Sequence, residues 1–124
     1  MKNNYFTIFF ILLSVMLCGC QKTGQEFTNA VTGVDAVNKK MQADRDLAIV
    51  QAKNLYQQAI IAETDLSNGP CLSNDLITDW VADIVHNPRQ SVDDLPENQC
   101  SAYLNGEKHH FVELDLAGNV IRIY

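Results

Sequence analysis

From Phe27 to Leu66 the chain contains no proline, and its one glycine there is Gly33. Apolar or small residues recur at Phe27, Val31, Val34, Met41, Ala48, Ala52, Leu55, Ala59, Ala62 and Leu66. The steps are mostly three and four, which places side chains on one face of an α-helix. The second half, "DLAIVQAKNLYQQAIIAETDL", is rich in strong helix formers. The first half, around "TNAVTGVDAV", mixes β-branched residues with Gly33 and is the part expected to fray or bend. Ser67-Asn68-Gly69-Pro70 stops the run. One long helix is therefore expected over residues 27–68. Its alanines leave a narrow surface suited to close packing on a sheet or a helix. The same spacing is heptad-like, so a coiled-coil partner is the alternative.

A module over residues 69–124 remains. At about 55 residues, a hydrophobic core alone is marginal. In "LSNDLITDWVADIVHNPR" the residues Leu76, Ile77, Trp80, Val81, Ile84 and Val85 form one wide apolar face if the segment is helical. Ser73 can cap that short amphipathic helix, Asp75 suits its N-terminus, and Asn87-Pro88 ends it. Asp75, Asp79 and Asp83 then line its outer face, where carboxylates splay into solvent rather than wrap a cation. His86 would sit at the helix C-terminus, a favourable place for it. "QSVDDLPENQ" reads as an acidic loop, and Asp93, Asp94 and Glu97 match no calcium-loop spacing.

The C-terminal stretch reads as β-structure. Asn105-Gly106 suits a two-residue hairpin. Asp115-Leu116-Ala117-Gly118 has Asp and Gly at the two ends of a type I turn. The expectation is a three-stranded antiparallel meander over 99–104, 107–115 and 119–124. A turn at Asn105-Gly106 would set Cys100 opposite Phe111 and Ala102 opposite His109. Both faces carry apolar residues, so the pattern leaves open which one meets the long helix.

The N-terminus speaks to location. Lys2 is followed by the apolar run "YFTIFFILLSVML", Tyr5 to Leu17. The run is short of the roughly 20 residues a spanning helix needs, and it fits a secretory leader. Leu17-Cys18-Gly19-Cys20 follows, and it resembles the lipobox of bacterial lipoproteins. The resemblance implies cleavage after Gly19, removal of residues 1–19 as a signal peptide, and a diacylglyceryl thioether on Cys20. Residues 20–26 would then be the lipidated cysteine and a short polar tether. It also implies an extracytoplasmic, lipid-anchored location at the cell membrane or the outer membrane. In a two-membrane host, Gln21 in place of Asp points to the outer one. Two or more acyl chains give stable anchoring.

With Cys18 removed and Cys20 acylated, Cys71 and Cys100 remain. In an exported chain they are expected to pair as one disulfide. Closing a loop of about 30 residues would stabilise the module by roughly 3–4 kcal/mol on the chain-entropy model.

The formal net charge is −6. From Gly69 onward the basic residues are Arg89, Lys108 and Arg122, against nine acidic ones. No basic face could neutralise nucleic-acid phosphates or dock on anionic lipid. His109 and His110, adjacent on a strand, would point to opposite faces and could not readily share a metal. The sequence has no Gly-x-Ser-x-Gly elbow, no glycine-rich phosphate loop and no Cys-x-x-Cys. No enzyme activity, metal or cofactor is expected.

The layout also resembles type IV pilins and pseudopilins: a leading apolar segment, a long alanine-bearing helix with "VQAKNLYQQAI", then a small sheet with a disulfide. Gly24 and Phe27 follow the apolar run, whereas a prepilin cleavage site precedes it. The expected class is α+β, with a long helix, a short amphipathic helix, a three-stranded sheet and the Cys71–Cys100 disulfide. The expected function is a non-enzymatic, lipid-anchored envelope protein that presents an interaction module to an unknown protein partner. The alternatives are a pilin-like assembly subunit and a small cation- or ligand-binding envelope protein.

Overall fold

The computed structural model describes residues 22–124. The expected signal peptide, its cleavage site and Cys20 lie outside these residues. The chain divides into two units, 1–40 and 41–124.

Helix α1 covers Lys22–Ile61. Lys22 to Glu26, expected in the tether, are already helical. The helix ends earlier than the Gly69-Pro70 signal suggests. Glu63 adopts φ 54°. The Thr64 N–H donates to the Ala59 carbonyl at 2.9 Å and the Glu63 N–H to that of Ile60 at 3.1 Å. This is the Schellman arrangement, here built on glutamate instead of glycine. In the first unit Val34 and Val37 are exposed.

The second unit holds a four-stranded sheet: β1 Cys71–Ile77, β2 Trp80–Ile84, β3 His110–Leu114 and β4 Val120–Ile123, in that spatial order. β1 and β2 are antiparallel, β2 and β3 parallel, β3 and β4 antiparallel. Fold class is thus mixed helix and sheet with one disulfide, but the sheet has four strands rather than three.

Two expected elements are corrected. Residues 73–86 form no helix; they make the β1–β2 hairpin. The wide apolar face assigned to a helix is divided: Leu76 and Ile77 lie in β1, Val85 follows β2, and Trp80, Val81 and Ile84 lie in β2, whose residues are all buried. A short apolar run covered on both faces looks alike in either structure, and β-branched Ile77, Thr78, Val81, Ile84 and Val85 tip the balance to strand. Asp79 makes the turn at φ 68°. The second correction is at 99–104: instead of a strand, Ser101–Leu104 forms the short helix α2. Asn74 on β1 accepts the Ala102 N–H at 2.9 Å and satisfies a donor at the start of that helix. Gly106, at φ 71°, follows the helix end and closes no hairpin.

The Asp115–Gly118 turn forms as the residues suggest, with the Gly118 N–H on the Asp115 carbonyl at 2.9 Å. Asp115 Oδ1 also takes the N–H groups of Ala117 and Asn119.

The parallel β2–β3 pair gives each sheet face its identity. Trp80, Ala82 and Ile84 of β2, with Val112 and Leu114 of β3, pack on Ala48, Ala52 and Tyr56 of α1. Alanine at 48 and 52 lets the helix backbone approach the sheet. Tyr56 donates its hydroxyl to the Leu116 carbonyl at 3.0 Å. The alternate residues form a second cluster on the other face: Val81 and Phe111 with Cys100, Ala102, Cys71 and Tyr103. Among the described residues no helix is long and apolar enough to cross a membrane.

Candidate functional site

On that second face, one level of the sheet reads Cys71, Asp83, Glu113, Arg122 across the four strands. Cys71 is joined to Cys100, with their Cα atoms 4.8 Å apart. The disulfide fastens the segment after β2 over this face.

Glu113 is only 5% exposed and is held from two sides. Arg122 Nε and Nη2 each donate to its carboxylate at 2.6 Å, a bidentate pair. Arg89 Nη1 donates to Oε1 at 2.8 Å. Arg89 also reaches Asp94 through Nε at 2.9 Å. The Arg122 guanidinium lies over the Phe111 ring, 4.7 Å from its centroid.

Asp83 has no such support. It is 8% exposed, and its Oδ1 is closed off from solvent without a hydrogen-bond partner. Burial first, and then the neighbouring charge of Glu113, push its carboxyl up to about 7, with Arg89 opposing. Asp83, Glu113, Arg89 and Arg122 line a cavity of about 60 Å³, walled by Val81, Phe111, Tyr103, Gln99 and Cys100.

Beside it runs a wider groove of about 360 Å³, lined by Val85, His86, Asn87, Arg89, Glu113, Ile121 and Arg122. His86 Nδ1 lies 2.7 Å from Asp93 Oδ1. Asp93 is 1% exposed and accepts the Gln90 N–H at 2.7 Å and the His86 N–H at 3.2 Å. Burial works against its charge, but these donors prevail and hold its carboxyl below the usual range. The imidazole is thereby fixed in orientation by a buried carboxylate.

The residues weighed in sequence take other places. Asp75 pairs with Lys108, Asp79 with His109, and Asp83 is buried, so the three form no common solvent-facing row. Asp93 and Asp94 engage different partners and do not converge on a cation site. His109 and His110 both approach Asp79, His109 Nδ1 at 2.7 Å and His110 Nε2 at 3.7 Å. This differs from the opposite-face expectation because His109 precedes β3. His110 stacks on Trp80. Among the described residues no three His, Cys, Asp or Glu side chains form a metal set.

The sequence places Asp83 on a solvated outer face, whereas it is buried, and singles out none of Glu113, Arg89 and Arg122 as a site residue. A signal was there: one acid inside the apolar run "WVADIV" and one inside "HFVEL". A lone acid in a buried strand needs a partner. No protein-family model, curated protein or solved structure matches the chain.

Proposed function

We propose that this chain is a non-enzymatic bacterial envelope lipoprotein, held by acyl chains on Cys20, whose residues 41–124 act as a binding module. Leu17-Cys18-Gly19-Cys20 behind an apolar leader supports the anchor. One observation carries the binding role: the disulfide-fastened sheet face encloses a cavity beside a buried carboxyl oxygen that no protein group satisfies. The other polar groups of the face are spent on one another. Glu113 takes both arginines and Asp93 takes His86, which suits holding a ligand better than moving protons.

The anchor is tested by palmitate labelling in a bacterial host. Label on the intact protein that disappears in Cys20→Ala is expected. Label that survives this substitution points to another site.

A pilin-like assembly subunit is a second reading, favoured by Val34 and Val37 of the first unit. They are three apart on the helix and each is 59% exposed. Apolar side chains at that spacing suit helix-to-helix contact. Concentration-dependent oligomers that vanish in Val37→Asp would support it, and a strict monomer would count against it.

A further inference from the structure

The second face holds one more carboxyl than its donors answer. Arg122 gives both of its hydrogen bonds to Glu113. Arg89 divides its side chain among Glu113, Asp94 and the Asp93 carbonyl. His86 answers Asp93. No cation donates to Asp83, although Glu113 stands directly beside it on the next strand.

We propose that the cavity beside Asp83 binds a primary ammonium group, carried by a small amine or by the tip of a lysine side chain, with the Asp83 carboxylate as its main acceptor. The proposal rests on reading this face as the module's binding site.

The orphaned group selects a donor. Arg89 and Arg122 also line the cavity, but both are paired with Glu113, so Asp83, once ionised, is the charge there without a donor of its own, and a cationic donor would supply it. Size selects a compact one. A water needs about 10–15 Å³ of such space, so a cavity of about 60 Å³ admits a few heavy atoms. The walls suit an ammonium on a short stem. Val81 and Phe111 offer apolar surface to methylenes. Gln99 donates its amide N–H to the Asp93 carbonyl at 3.5 Å, which leaves its Oε1 as a second acceptor.

Binding then couples to a proton. The groups that face Asp83 are Glu113 from β3, Arg122 from β4, Arg89 and Asp93 from the segment after β2, and Tyr103 from α2. On β1 its neighbour is Cys71, whose disulfide does not titrate. Asp83 keeps its proton in slightly acidic solution, so an entering ammonium must displace it. Affinity rises with pH until Asp83 is ionised without help.

Calorimetric titration of the full-length chain with ethylammonium chloride tests this. It is run at about pH 6 and about pH 8, each in two buffers of different ionisation heat. The expected dissociation constant is on the order of 1 mM near pH 8, the scale open to so small a ligand. It should weaken about tenfold near pH 6, with close to one proton released per ammonium bound. Asp83→Asn keeps the shape of the neutral acid and should fold, with an unchanged circular dichroism spectrum, yet bind at least about tenfold more weakly. Potassium chloride should compete poorly.

Nα-acetyl-lysine methylamide binding at least as well as ethylammonium would identify a lysine side chain as the source. Weaker binding would identify a free amine, and the ammonium site stands in either case. Saturable binding that Asp83→Asn does not alter, equal competition by potassium, or no binding heat because the cavity holds only water would each overturn the proposal. None of these results touches palmitate labelling of Cys20, so loss of the ammonium site and loss of the anchor are separate outcomes.

Discussion

Asp83 and Glu113 stand side by side in register on the parallel strands β2 and β3, yet both arginines of that face bind Glu113 and neither binds Asp83. Burial, and then the neighbouring Glu113, drive Asp83, which has no cationic donor, toward its neutral form.

Stability should therefore fall as pH rises toward neutrality. Unfolded Asp83 releases its proton near 3.8, while folded Asp83 keeps it to about 7. Between those values the folded chain holds more protons, and each step up in pH favours unfolding. The loss is on the order of a few kcal/mol. Urea unfolding across this range should show the decline, and Asp83→Asn should flatten it and raise stability at pH 8. A wild-type profile as flat as that of Asp83→Asn would count against the buried neutral acid.

Asp93 has the opposite dependence. Its carboxyl is held below the usual range, so its contribution is present at neutral pH and fades as pH falls through that depressed value. Asp93→Ala would orphan the N–H groups of Gln90 and His86. Each buried donor left unsatisfied costs about 1–3 kcal/mol. The expected loss at pH 7 is thus roughly 2–4 kcal/mol, read from a chemical melt. A change under about 0.5 kcal/mol would show that the loop holds itself without this carboxylate.

Gly69 should tolerate no side chain. It sits at φ 66°, and a Cβ there would lie about 2.4 Å from Asp93 Oδ1 and 3.0 Å from the Ile84 carbonyl oxygen. Gly69→Ala combines backbone strain with displacement of the Asp93 carboxylate. It should cost roughly 2–3 kcal/mol or more. Near-native stability would mean that the turn relaxes freely.

The helix and the C-terminal turn were legible because single residues decide them locally. An uninterrupted run of helix formers specifies α1, and Asp115 with Gly118 specifies the β3–β4 turn. The hairpin at 71–84 was not legible, since "LITDWVADIV" satisfies the helical and the strand pattern alike. Tertiary burial on both faces of β2 decides it. The site was hidden for the same reason. Asp83, Glu113 and Arg122 are far apart in the chain, and only strand register puts them in one row.

Cleaving the disulfide should cost about 3–4 kcal/mol on the chain-entropy model. It spans a sequence separation of 29 and is the covalent link that fastens α2 to β1. Reduction, or the Cys71→Ala/Cys100→Ala pair, should lower the unfolding midpoint accordingly. Equal midpoints for oxidised and reduced protein would show that packing alone keeps the face closed.

Carbon-13 NMR of the Asp83 side-chain carboxyl, followed through a pH titration of the folded protein, is the most direct test. A midpoint near 7 is predicted, moving downward when ethylammonium is added. A midpoint in the ordinary range near 3.8 would contradict it, because the charged form of Asp83 would then already be satisfied by solvent or a donor.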